Sequence, residues 1–182
     1  MSKAKKMPMQ TPQDLFVHEL SDLHSAEQMI VAMLEEAQGL VQNPHLKEGL
    51  RMHAEQSRQH AARLEQAFQQ LGARPHPIEC HAVKGLHQEL REALKAEPSP
   101  QVLEGLVVSG ASKTEHYEIS AYMSLIDMAR TMGQTEIART LEQNLLDEQQ
   151  MLQQVEQIGR QMMLQMASMA GMQPGQQAEA VW

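Results

Sequence analysis

Residues 11–41 read TPQDLFVHELSDLHSAEQMIVAMLEEAQGLV, and this stretch decides the fold. Thr11 is suited to cap a helix, Pro12 fits the first helical position, and Asp14 puts an acid in the first turn. Phe16, Leu20, Leu23, Ile30 and Leu34 then recur at the spacing that lines one face of a helix. The centre of that apolar stripe is not apolar: it is Glu27. A long amphipathic helix with a carboxylate on its core face is the first expectation, and the rest of the chain repeats it.

Asn43-Pro44 opens a second helix, and Ser99-Pro100 opens a long later one. Gly72 with Pro75 and Pro77 ends the second, Gly133 ends the one begun at Ser99, and Thr135 restarts the chain as a helix. A shorter helix over about 82–96 carries Leu86, Leu90 and Leu94. The spacing predicts two long hairpins, 12–41 with 44–72 and 100–132 with 135–166, each helix on the order of 40 Å. A crossover with its own short helix joins them. The fold class is therefore all-α, a ferritin-like four-helix bundle. Residues 1–10 are expected to be a disordered N-terminal arm, 11–168 the bundle, and 169–182 a flexible Met/Gln-rich tail.

Composition narrows the function classes. The formal net charge of −8 argues against nonspecific nucleic-acid binding, which requires a basic surface. Lys3 to Lys6 form a short solvated run. The lone Cys80, expected as a packing thiol in a polar loop, cannot form an intrachain disulfide; with no signal peptide in view, this fits a cytoplasmic protein. The apolar runs are too short to span a membrane. Only 3% of residues are aromatic, so the core is expected to be aliphatic, with the 15 Met filling the core or the tail. Gly-rich phosphate loops, a nucleophile elbow and Cys-x-x-Cys do not occur.

The other long helices treat their core stripes as the first does. In 135–166 the stripe Ile137, Leu141, Leu145, Leu152, Val155 is interrupted by Glu148. In 100–132 Val107, Ala111, Leu125 and Ala129 flank Glu118, with Glu115 one turn earlier. In 44–72 Leu46, Leu64, Ala67 and Leu71 share a face with His53 and His60, with Gln56 between them, while Glu55 falls on the far side. All the interruptions sit at similar depth from the turns, so antiparallel packing brings them together. Buried carboxylates must be paired, protonated or metal-bound. Arg63 and His24 are the nearest cations, and His116 falls off the stripe. Carboxylates with two imidazoles form the ligand set of a di-iron or di-manganese carboxylate site. Glu27, His53, Gln56, His60, Glu115, Glu118 and Glu148 are the candidate metal residues, for Fe or Mn in a mono- or dinuclear site.

The run Asp14-Leu15-Phe16-Val17-His18-Glu19-Leu20, with Asp22-Leu23 and Ala26-Glu27, resembles the YciE/YciF family of ferritin-like bacterial stress proteins. So do His53, Arg63-Leu64-Glu65, Glu79-Cys80, and above all Lys113-x-Glu115-His116-Tyr117-Glu118-Ile119 with Ala121-Tyr122. The likeness spans about 11–165. It implies a ferritin-like core related in shape to rubrerythrins, a homodimer, and a part in stress responses. By position, Glu27, Glu115, Glu118 and Glu148 match acids of the family pattern. Gln56-Ser57 stand where relatives have Glu-Thr, and the Glu-x-x-His pairs of full di-iron proteins are missing: Met151 follows Glu148, and Ser57 precedes His60. The expectation is an incomplete dinuclear-type site with a redox role toward peroxide or O₂, and Tyr117 or Tyr122 as its redox neighbour. The competing expectation is a non-enzymatic dimeric stress scaffold. Iron storage in a hollow shell has no support in the sequence.

Overall fold

The computed structural model describes residues 9–169 and 171, so most of the expected N-terminal arm and C-terminal tail lies outside the described residues. Five helices follow in order: α1 Pro12–Leu40, α2 Pro44–Leu71, α3 His81–Leu94, α4 Pro100–Thr131 and α5 Thr135–Met169.

The helix ends follow from local chemistry. Thr11 and Asp14 form a reciprocal capping box, in which the Asp14 backbone N–H donates to Thr11 Oγ1 at 3.1 Å and the Thr11 N–H donates to Asp14 Oδ2 at 2.9 Å. Asn43 Oδ1 accepts from the His45 and Leu46 N–H groups, and Ser99 Oγ from that of Val102. Gly72 closes α2 and Gly133 follows α4, both in left-handed conformation, with φ of 63° and 72°.

The α1–α2 and α4–α5 pairs are the two hairpins. Glu104, near the start of α4, accepts from the N–H groups of Gln42 at 3.0 Å and Asn43 at 2.7 Å in the α1–α2 turn. This carboxylate fixes the start of α4 at the end of the bundle where α2 also starts. The crossover must therefore travel the length of the bundle. It climbs along α1: the His76 N–H donates to Ser21 Oγ at 3.0 Å, the Cys80 N–H to Ser25 Oγ at 3.2 Å, and His87 and Arg91 of α3 reach Glu36 at 2.8 Å. That traverse is what a bundle of the ferritin type requires.

The core is aliphatic apart from Phe16, Phe68 and Tyr122, which are fully buried. Two stripes differ in detail from the wheel reading. On α5, Leu145 and Leu152 are only half-buried, and Ala138 and Asn144 take the inward positions. On α2, Leu71 is half-buried, while Leu50, Ala54 and Phe68 fill the seam. The methionines divide: Met33 is in the core, but Met52, Met123, Met163 and Met169 are exposed. Among the described residues, no helix is long and apolar enough to cross a membrane.

Candidate metal centre

Midway along the bundle each long helix delivers its ionisable side chains to one place. Glu27 from α1, His53 and His60 from α2, Glu115 and Glu118 from α4 and Glu148 from α5 are all buried, none more than 2% exposed. Helical spacing explains their convergence. On α4, Glu115 and Glu118 are one turn apart on the face that also buries Tyr122 and Leu125, and on α2 His53 and His60 are two turns apart on the Leu64 face.

The ligand atoms fall into two groups, each lying within 4.8 Å of one another: His53, Glu115, Glu118 and Glu148 in one, and Glu27, His60 and Glu148 in the other. Glu148 belongs to both. His60 Nδ1 lies 2.7 Å from Glu148 Oε1 and 3.4 Å from Glu27 Oε1, and His53 Nε2 lies 3.3 Å from Glu115 Oε1. Short as they are, these contacts lack hydrogen-bond alignment, since His53 Nε2, His60 Nδ1 and Glu148 Oε1 have no hydrogen-bond partner. Among the described residues, ten buried side-chain polar atoms are unpartnered, and nine of them belong to these six side chains. The tenth is Ser57 Oγ, on α2 between the two histidines.

Electrostatics follow the same division. Burial pushes the carboxyls of Glu27 and Glu118 up. Burial, then repulsion from Glu148, pushes Glu115 up to about 10. Burial alone would depress His60, but Glu148 and Glu27 beside it overcome that and hold it at about 10. Burial depresses His53 to about 4, with Glu148 opposing only weakly. Protons thus occupy the cluster where its charge would otherwise be uncompensated.

A second ring orients the first on the His60 side. His60 Nε2 is 3.2 Å from Asp147 Oδ2, and Arg63 Nη1 donates to Asp147 Oδ2 at 2.9 Å and to Asn144 Oδ1 at 2.8 Å. Asn144 Nδ2 donates to Tyr122 Oη at 2.9 Å, and Tyr122 Oη donates to Glu27 Oε1. A histidine held through one nitrogen by a carboxylate, its other nitrogen facing inward, is how metal-ligating imidazoles are fixed.

The remaining sequence candidates sort differently. Gln56 is half-buried at the flank of its helix, while its neighbour Ser57 is fully buried on the histidine face. Glu55 and His116 are exposed. His24 turns away from Glu27 to lie 3.3 Å from Glu65 and edge-on to Phe68. Arg63 serves Asp147 and Asn144. Cys80 is fully buried at the start of α3, with Sγ 3.1 Å from Tyr117 Oη, which donates to Asp22. Wheel reasoning missed Asn144, Asp147 and the bond from Tyr122 to Glu27. The signal for Asn144 was available: it is i+3 from Leu141 and i−4 from Glu148.

A family model described as "Domain of unknown function (DUF892)" matches residues 11–168. Protein YciF of Escherichia coli (strain K12) is 29% identical over 143 residues, which cover 78% of this chain and 86% of that protein. The crystal structure of the E. coli stress protein YciF superposes with a TM-score of 0.82 at 26% identity, covering 85% of this chain and 98% of the other. YcfI from Rhodopseudomonas palustris is 34% identical with a TM-score of 0.79, covering 84% and 97%. A ferritin-like, diiron-carboxylate protein structure from Bacillus anthracis str. Ames shares the fold, with a TM-score of 0.66 at 18% identity, covering 83% and 99%.

Proposed function

The chain belongs to the DUF892 family and is similar to the stress protein YciF, and from that premise we propose that it binds Fe or Mn at its mid-bundle cluster. Nine buried oxygen and nitrogen atoms of six side chains on four helices, all without hydrogen-bond partners, carry this reading. The donor set fits. Four carboxylates and two imidazoles are the count that ferritin-like di-iron bundles use, there distributed as two Glu-x-x-His pairs and two single Glu. Here both imidazoles come from α2, and α4 supplies a Glu-x-x-Glu pair instead. The missing Glu-x-x-His motifs therefore mark a redistribution of donors, and the charge expected at Gln56 comes from the second acid of α4.

Glu27 and His60 would hold one ion, His53, Glu115 and Glu118 the other, and Glu148 would bridge. A bound Fe or Mn supplies one-electron redox chemistry toward O₂ or peroxide. Asp147 orients His60, and Tyr122 orients Glu27. The apolar walls exclude water, which strengthens every charge interaction inside. Ion entry requires Glu115 and His60 to release protons, so binding strengthens as pH rises.

Anaerobic Fe(II) or Mn(II) loading followed by elemental analysis tests the proposal. One or two ions per chain, lost in the Glu148→Gln variant, are expected. Failure to load stoichiometrically would sink it and leave the dimeric scaffold as the reading. Assembly as a homodimer belongs to both readings. Sizing chromatography measures that directly.

A further inference from the structure

On its His53 side the cluster is not closed by packed atoms. The imidazole borders a cavity of about 40 Å³ between α2, α4 and α5. Leu50, Val108, Ala111, Met151 and Val155 form its walls together with His53. Among the described residues that line it, only His53 and Gln154 carry polar side chains, and Gln154 is exposed. Val108 and Val155 also line an outer groove of about 870 Å³ between the first half of α4 and the last third of α5. They are 7% and 8% exposed, so these two valines form the wall between groove and cavity. Gly159 lies beside that wall: a Cβ there would sit 3.2 Å from Val108 Cγ1, so the glycine leaves the valine room to yield.

We propose that the cavity holds molecular oxygen beside the His53 half of the cluster, admitted from the α4–α5 groove between Val108 and Val155. Oxygen as the occupant rests on the redox-metal reading above; the preference for a small apolar molecule rests on the cavity alone. Three observations carry it. The first is size. A water-sized molecule needs ~10–15 Å³ of such space, so about 40 Å³ admits a diatomic gas and excludes a larger organic substrate. The second is polarity. A buried water requires about two to four polar partners, and apolar cavities without them stay dry and take up apolar molecules such as xenon. The enclosed lining offers one polar group, the His53 ring, whose Nε2 lies against Glu115. The third is position. His53 is buried and its Nε2 has no hydrogen-bond partner, so one wall of the cavity is a candidate ligand rather than inert packing. A gas molecule held there is one imidazole away from the cluster. The half-wetted polar groups Asp147 and Arg63 lie on the His60 side instead, so protons and gas would use different sides of the bundle.

Oxygen is paramagnetic and reports its own position, so NMR of the metal-free chain under O₂ pressure tests the proposal. Relaxation enhancements at the Leu50, Val108, Ala111 and Val155 methyls are expected to exceed several-fold those at Val17, Val41 and Ile126, which are similarly buried but away from the cavity. The ring protons of His53 should respond and those of His60 should not. Xenon should shift the same four methyls. Ala111→Leu, which fills the space, should abolish the excess; Val108→Ile, one methylene larger, should reduce it and serves if Ala111→Leu does not fold. Gly159→Ala, which removes the slack beside Val108, should slow xenon exchange several-fold. Equal enhancement across the core overturns the proposal. So does an excess that survives Ala111→Leu, a nuclear Overhauser contact from bound water to these methyls, or unchanged exchange in Gly159→Ala. Because the chain is metal-free, each of these failures is distinct from a failure to load Fe(II) or Mn(II), which sinks the metal reading.

Discussion

The two halves of the mid-bundle cluster use the same residue types and behave oppositely. His60 faces Glu27 and Glu148, is backed by Asp147 and Arg63, and is held protonated to about 10. His53, two turns earlier on the same helix, approaches Glu115 and borders a cavity of about 40 Å³ lined by Leu50, Val108, Ala111 and Val155, and its proton is lost above about 4. Both imidazoles are buried, so burial does not distinguish them. What distinguishes them is which acids act on each ring: Glu148 and Glu27 both approach and stabilise the His60 imidazolium, whereas Glu148 alone favours that of His53, whose nearer neighbour Glu115 is kept protonated. In the His60 half the imidazole itself carries the proton that a bound ion would displace. In the His53 half the imidazole is already neutral, and the proton to be displaced lies on Glu115.

The strongest way to break this contrast is at the residue the halves share. Glu148→Gln should remove metal-dependent stabilisation entirely. With free metal at about 100 times Kd that stabilisation is about 2.7 kcal/mol, or ~5–10 °C in Tm for a chain of this size. The metal-free variant should melt lower than the parent at neutral pH, because the change removes the buried carboxylate that pairs with protonated His60. Calorimetric scans with and without Mn(II) measure both.

Asp147→Asn tests the His60 half alone. Loss of the carboxylate behind a ligating histidine costs about 10- to 100-fold in metal affinity. Isothermal titration should show one of two binding phases weakened and the other, through His53, unchanged. Equal weakening of both would erase the distinction.

A pH series sharpens the comparison. Folded Glu115 keeps its proton to about 10, whereas the unfolded carboxyl loses it near 4.5. Folded His60 keeps its proton to about 10 against 6.5 unfolded. The folded chain thus binds more protons, and the stability of the metal-free protein falls as pH rises from 6.5 toward 10. His53 acts in the opposite sense, costing stability as pH falls from 6.5 toward 4. Metal-loaded protein should resist the alkaline fall, because the ion replaces those protons. Urea titrations at pH 6.5 and 9 read the difference.

The smallest expected effect is that of Tyr122→Phe. It removes the hydroxyl that donates to Glu27 and accepts from Asn144, leaving two buried groups short of a partner, at about 1–3 kcal/mol. Chemical denaturation should register the loss, with His53-side binding unaffected.

Much of this was legible in the sequence because it rests on period and on capping. Thr11, Asn43, Ser99, Gly72 and Gly133 mark helix ends through their own side-chain or backbone chemistry, so the element order could be read directly. Glu27, Glu118 and Glu148 stood out as polar breaks in apolar stripes. A wheel gives direction without partners, however. It could not tell Gln56 from Ser57 near the edge of a face, nor see that Arg63 bonds Asp147 and Asn144 on α5, 81–84 residues away. Opposite shifts at His53 and His60 depend on acids from other helices and are invisible along α2.

The pair Arg63 and Asp147 has a kinetic consequence. Their side chains are 22% and 27% exposed, while His60 behind them is fully enclosed. Under the proposed metal binding, a proton leaving His60 would have Asp147, the half-wetted acid it touches, as its way to solvent. A solvent deuterium isotope effect on the rate of ion uptake, diminished in Asp147→Asn, is the expected kinetic signature of that relay.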